Sequence, residues 1–263
     1  MRQIAEVDEA IANGFDLAKD VPGFLGDNEL RFLGALAALT PAIGAMVEIG
    51  SFKGKSTVML ASVAARFGLG RVVAIDPHAG LGYLGTQNEY LAPTYEEFLS
   101  ALKTAGVEEH VEAHRAFSRE VAMKWQRPIR LLWIDGDHTY RGCKEDFDLF
   151  SRSLAAGAVV ALHDSLNTFE GPIRVFVEEV LRSDRFGPCG FVHSIAWGQF
   201  RPVDGERYRE ERRRLEKRAA RLIPFVENGE PKGLRKIAYK LNRSRVPRML
   251  PGTEELGKRL RLI

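Results

Sequence analysis

The chain has 263 residues, 45% of them hydrophobic and 28% charged, which gives enough apolar material for a sizeable core and argues against global disorder. No apolar run approaches the roughly 20 residues of a membrane span, and the N-terminus lacks the apolar stretch of a signal peptide. Two cysteines, Cys143 and Cys189, exclude a disulfide framework and suit a reducing cytoplasm. The net charge of +3 hides a split: residues 203–263 hold 18 Lys and Arg against 9 Asp and Glu, while residues 1–202 hold 20 against 26. Two surfaces with different partners are expected, the basic one for anions.

In chain order, residues 1–40 have helical spacing, with Leu30, Phe32, Leu33, Leu36 and Leu39 on one face and Thr40–Pro41 as the stop. Residues 45–50 read as a buried strand ending in glycine, and 55–67 as a helix. A strand over 71–76, a helix over 95–105 and a weak strand over 110–114 follow. The intervening loop, 78–93, carries Gly80, Gly82 and Gly85. A short helix over 118–125 is expected with Ser118 as its cap. Then come a strong strand (129–135), a helix (140–154), a strand (158–162) and a helix (173–181).

Strands alternating with helices predict a doubly wound, mostly parallel α/β sheet covered on both faces. Residues 191–203 read as one or two strands without an intervening helix, an antiparallel edge. Three segments follow: N-terminal helices over 1–40, an α/β domain over 41–203 and a basic extension over 204–263. In the extension a helix over 206–222 is expected to be broken by Pro224, Gly229, Pro231 and Gly233. A second short helix is expected over 234–242, and an irregular end.

The sharpest local feature is Glu48-Ile-Gly50-Ser-Phe-Lys-Gly54-Lys-Ser-Thr57, between a strand and a helix. A phosphate-binding P-loop needs four residues between its glycines and a lysine after the second; here there are three. A dinucleotide loop needs a glycine pair that is absent, and an acid two residues before Gly50 is unfavourable beside a pyrophosphate. A cationic sulfonium suits that acid, and a carboxylate suits the following helix N-terminus. Asp76, at the end of the second strand, is placed to accept from a ribose diol. The bland alternatives are a plain strand-to-helix turn and a turn residue before Pro77.

These residues resemble a known family. Residues 47–57, the block Trp133-Ile-Asp-Gly-Asp-His-Thr-Tyr140 with Asp146 after it, and Gly157-Ala-Val-Val-Ala-Leu-His-Asp164 are similar to the class I methyltransferases of the methyltransferase 24 family, related to cation-dependent and sugar O-methyltransferases. The resemblance spans about residues 40–200. It implies a seven-stranded Rossmann-like sheet, bound S-adenosylmethionine and, in many relatives, one divalent cation such as Mg²⁺. Cofactor contacts are expected from Glu48, Gly50, Ser51, Phe52, Gly54, Ser56, Thr57, Asp76, Pro77, Ser118, Asp135, Gly136 and His138. The metal positions fall on Asp135 and Asp164 with His163, where relatives carry an acid or amide, so the metal and its identity stay open.

The catalytic candidates are Asp135, His138 as general base and His163 as ligand or second base. Against these, His138 packs beside the cofactor or caps the next helix. Asp137 orients His138 or touches the cofactor, and His78 with the Gly80–Gly85 loop forms a lid or a simple crossover. The expected function is O-methylation of a small-molecule or sugar hydroxyl by a cytoplasmic homo-oligomer. The basic tail faces an anionic glycolipid substrate or a membrane surface, with nucleic acid the least favoured partner. The competing functions are a P-loop nucleotide-binding protein, a cephalosporin hydroxylase-like enzyme on the same fold, and a non-catalytic scaffold.

Overall fold

A computed structural model describes residues 3–79, 93–227 and 229–261. The chain begins with α1 (Ile4–Ala18) and α2 (Asp27–Leu39), and enters the sheet at β1 (Ala45–Ile49). The βα alternation runs α3 (Lys55–Phe67), β2 (Val72–Ile75), α4 (Tyr95–Ala105), β3 (Val111–His114), α5 (Ser118–Ala122), β4 (Ile129–Ile134), α6 (Tyr140–Ser151), β5 (Leu154–Leu162) and α7 (Glu170–Val175). A π-helical turn, Phe176–Leu181, extends α7. The hairpin β6 (Phe186–Val192) and β7 (Ile195–Phe200) follows, then α8 (Arg209–Ala219), α9 (Ile223–Val226), α10 (Gly233–Ser244) and α11 (Thr253–Arg259). No helix among the described residues is long and apolar enough to cross a membrane.

The seven strands are ordered β3-β2-β1-β4-β5-β7-β6. β1 to β5 are parallel, and β7 runs antiparallel between β5 and β6. Alternation along each strand divides the core in two. Met46, Leu131, Trp133 and Val159 pack with α1, α2, α3, α4 and α11, while Val47, Leu132, Ile134 and Val160 pack with α6, α7 and the helices after β7. The N-terminal helices and the basic extension therefore share the two cores of the sheet.

Successive strands after β1 wind outward to β3, and the chain then returns to place β4 on β1's other side. That reversal opens a crevice at the carboxyl ends of β1 and β4, where ligands bind in such sheets. The close approach there is what Gly50 permits. Its φ is +86°, and a Cβ would lie 2.2 Å from the Asp135 carbonyl oxygen.

Four expectations need correction. Ser118 does not cap α5: the Glu120 carboxylate accepts from Phe117 N at 2.8 Å, and Ser118 Oγ donates to Asp146 instead. α6 ends at Ser151 and β5 begins at Leu154, because Ser153 already pairs with Ile129 in the sheet. Pro224 does not end helical structure. It sits in the first turn of α9, where a missing N–H costs nothing, after a 3₁₀ turn over Ala220–Leu222. The last residues are not irregular throughout, since α11 buries Leu256 completely.

Candidate active site

The crevice is a cavity of about 420 Å³. Every expected site residue lines it except Glu48, Gly54 and Thr57. Glu48 is completely buried, with Thr57 Oγ1 donating to its Oε2 at 2.5 Å. Burial is the main reason its carboxyl is pushed up to about 8, with Ser56 and Thr57 opposing. Glu48 thus ties β1 to the first turn of α3 through Thr57 and does not line the cavity.

Asp76, half-buried, lines the cavity at the other wall of the loop. Its Oδ2 accepts from Phe52 N at 2.8 Å and its Oδ1 from His78 N at 2.6 Å. These bonds hold Phe52 and His78 at φ 46° and 51°, conformations rare for non-glycine residues. The carboxylate retains lone pairs for a ligand diol. Ser51 Oγ is buried without a hydrogen-bond partner and lines the same cavity. Lys55 and Ser56, opening α3, present a helix N-terminus beside it.

The other end of the cavity is built by the β4 and β5 termini. His138 Nε2 lies 3.3 Å from Asp135 Oδ1, and its Nδ1 lies 3.9 Å from Asp164 Oδ2. One ligand atom from each of Asp135, His138 and Asp164 falls within 4.8 Å of the others. Asp164 is held at φ 57°, with Asn167 Nδ2 donating to its Oδ1. His138 packs against Phe169 with the rings tilted and their centroids 4.6 Å apart, and Thr139, not His138, caps α6 through Gly142 N. Asp137 accepts from Thr139 N at 2.8 Å and also lines the cavity.

His163 is placed differently from the expectation. Its Nδ1 is 3.1 Å from Asp135 Oδ1, and its Nε2 is 3.6 Å from Glu29 Oε2. Burial disfavours its charge, but Asp135 and Glu29 outweigh burial and raise its pKa well above the ordinary imidazole value. Burial likewise opposes ionisation of Asp135, yet His163 and His138 hold it at about 2. His163 thus lies between two carboxylates that favour its charged form, and the donor atoms that come within 4.8 Å of one another are those of Asp135, His138 and Asp164.

Glu29 was not anticipated. It accepts from Gly26 N at 3.1 Å at the start of α2 and from Ser194 N at 2.8 Å in the β6–β7 turn, besides facing His163. The Gly26-x-x-Glu29 spacing signals a helix start, but not a contact 134 positions along the chain. His78 is no lid: it is buried, bonded to Thr94 Oγ1 at 2.9 Å and packed on Tyr95 and Phe98. Gly80–Gly85 lie outside the described residues. A second cavity, about 480 Å³, opens around Pro41 and Gly44, but its ionisable groups, Arg130, Glu254 and Arg261, include no imidazole and no paired carboxylates.

Residues 47–165 match the methyltransferase 24 family model, described as a methyltransferase domain. The chain has the fold of Rossmann-like methyltransferases. Its fold is shared with an O-methyltransferase from Bacillus cereus in complex with SAH (18% identity, 76% of this chain and 92% of that one, TM-score 0.51). It is shared also with the O-methyltransferase NovP (13%, 75% and 98%, TM-score 0.58) and with CalS11, a calicheamicin methyltransferase (18%, 76% and 94%, TM-score 0.50). The matched segment takes in both halves of the cavity: the β1 loop with Asp76, and the β4 and β5 ends with Asp135, His138 and Asp164.

Proposed function

We propose that the chain transfers the methyl group of S-adenosylmethionine to a hydroxyl of a small molecule or sugar, with a divalent cation held by Asp135, His138 and Asp164. The observation that carries this is the pairing, in one cavity, of an acid at the end of β2, Asp76, bonded to the glycine loop, with an acid–imidazole–acid group at the opposite wall. The unpartnered Ser51 Oγ, Asp76 and the α3 N-terminus fit a ligand bearing hydroxyls and a carboxylate. S-adenosylmethionine supplies an electrophilic methyl on a sulfonium. A cation at the three ligands would lower the acceptor hydroxyl's pKa and orient it; two oxygens and one nitrogen suit Mg²⁺ or Mn²⁺.

The chain's own residues do the rest. Asp76 and Asp135 give the cavity the negative charge that a sulfonium requires. Phe24, exposed at the rim and 5.6 Å from Phe52 between ring centroids, and Phe169 beside His138 furnish apolar walls for an acceptor. His163, fixed between Glu29 and Asp135, is a positioning residue that aims Asp135. His138 is the side chain placed to accept an acceptor proton where no cation does that work.

The competing readings lose support at particular residues. Lys55 donates its ammonium to the Lys19 carbonyl at 2.8 Å, and the cavity's acids repel a triphosphate. Two carboxylates with one imidazole reverse the ligand set of non-haem iron oxygenases, which tells against a hydroxylase. The test is release of S-adenosylhomocysteine from S-adenosylmethionine with catechol and sugar acceptors, with and without EDTA. Acceptor-dependent release that EDTA stops and Mg²⁺ restores is expected. Full turnover in EDTA removes the cation, and failure to bind S-adenosylhomocysteine removes the whole reading.

A further inference from the structure

The basic extension has a second feature besides its charge. α10 is fixed to the body by one face: Tyr239 is buried and its hydroxyl lies 2.9 and 2.5 Å from the Leu166 and Asn167 carbonyls, its single proton shared between them. Val246, just past the helix, is also buried, and Met249 N donates to the Phe191 carbonyl at 3.0 Å. At 3.6 residues per turn the opposite face carries Leu234, Ile237 and Leu241, spaced i, i+3 and i+7. They are 83%, 56% and 57% exposed, and Met249 and Leu250 extend the apolar surface at 56% and 51%. Lys240 lies between the stripe and the buried face, while Lys236 pairs with Glu230 at 3.0 Å and Arg235 donates to the Pro224 carbonyl at 2.9 Å. Residues 231–252 contain seven Lys and Arg and no Asp or Glu.

We propose that α10 and the segment to Leu250 dock the protein on an anionic lipid surface, with Leu234, Ile237 and Leu241 entering the headgroup layer and the surrounding cations meeting lipid phosphates. An apolar stripe turned away from the body, on a segment whose exposed Lys232, Lys240, Arg245 and Arg248 outnumber the one nearby acid, Glu230, is the arrangement of helices that lie in a membrane interface. The charge selects this occupant over a second copy of the chain. In a two-fold contact the same cations would face each other with only Glu230, already paired to Lys236, to offset them. The placement also bears on the cavity. Tyr239 grips the Leu166–Asn167 turn, Asn167 bonds Asp164, and Arg243 Nη2 reaches Asn167 Oδ1 at 3.5 Å. A docked α10 therefore holds the β5 end of the cavity beside the bilayer, where a lipid-borne hydroxyl would be met; that last step alone rests on the proposed activity.

Co-sedimentation of the full chain with vesicles tests the docking without cofactor or acceptor, so its outcome is independent of methyl transfer. Binding to phosphatidylglycerol-containing vesicles, absence of binding to pure phosphatidylcholine, and release at high salt are expected. The triple variants Leu234→Ser/Ile237→Ser/Leu241→Ser and Lys240→Gln/Arg245→Gln/Arg248→Gln should each weaken binding roughly tenfold or more, with an unchanged melting temperature. Equal binding to neutral and anionic vesicles, or none to either, overturns the proposal. So does a dimer in sedimentation velocity that the serine variant dissociates, which would assign the face to a second copy.

Discussion

Glu48 shows how burial converts a charged residue into a structural one. Its folded pKa of about 8, against an ordinary value of 4.5, means the folded chain keeps a proton that the unfolded chain releases between those values. Stability contributed through Glu48 is therefore greatest at low pH, falls as pH rises through that window and levels above about 8. Glu48→Gln removes the dependence. The melting temperature of the unaltered chain should fall relative to the variant between pH 5 and 8, by roughly 2–4 °C for each kcal/mol. Parallel melting curves across that range would contradict the burial argument. At the opposite wall, Asp135→Asn and Asp164→Asn should each reduce turnover about 100-fold or more while S-adenosylhomocysteine binding persists for Asp164→Asn. Turnover within a few-fold of the original would place the chemistry elsewhere.

At the scale of elements, the two ends of the sheet depend on backbone contacts that side-chain patterns conceal. Gly50→Ala would drive a methyl into the Asp135 carbonyl and strain a left-handed φ, costing roughly 2–4 kcal/mol and closing the cofactor loop. Chemical denaturation and cofactor titration read the two effects separately. At the opposite end, Arg130 is buried and donates to the Ala37, Thr40 and Ala42 carbonyls, tying the end of α2 to the start of β4. Arg130→Met leaves those carbonyls without a donor and should cost about 3 kcal/mol or more. A loss under about 1 kcal/mol would show that water replaces the guanidinium.

The sheet strands and the helices α3 and α4 were legible because buried parallel strands are continuous apolar runs and amphipathic helices repeat every 3.6 residues. Chemical residues at strand ends were legible for the same reason: once the strands are placed, Asp76, Asp135 and Asp164 follow. Partner choice was not. Glu48 and Asp76 are both acids at strand ends, but only three-dimensional packing turns one inward and the other toward the cavity. His138 and His163 could be told apart only when Glu29 arrived from α2, a contact with no local signature.

For the whole molecule, the helices before β1 and after β7 are parts of the same two cores, so changes far from the cavity reach it. α2 delivers Glu29 to His163, and α10 grips the turn that follows Asp164. The acidic sheet domain and the basic extension thus serve one cavity from two sides. The central claim is that the space between Gly50 and Asp76 takes S-adenosylmethionine, and calorimetric titration with S-adenosylhomocysteine tests it most directly. One site per chain is predicted, weakened roughly 10- to 100-fold by Asp76→Ala. No heat with S-adenosylhomocysteine, together with saturable binding of ATP and Mg²⁺, would contradict it.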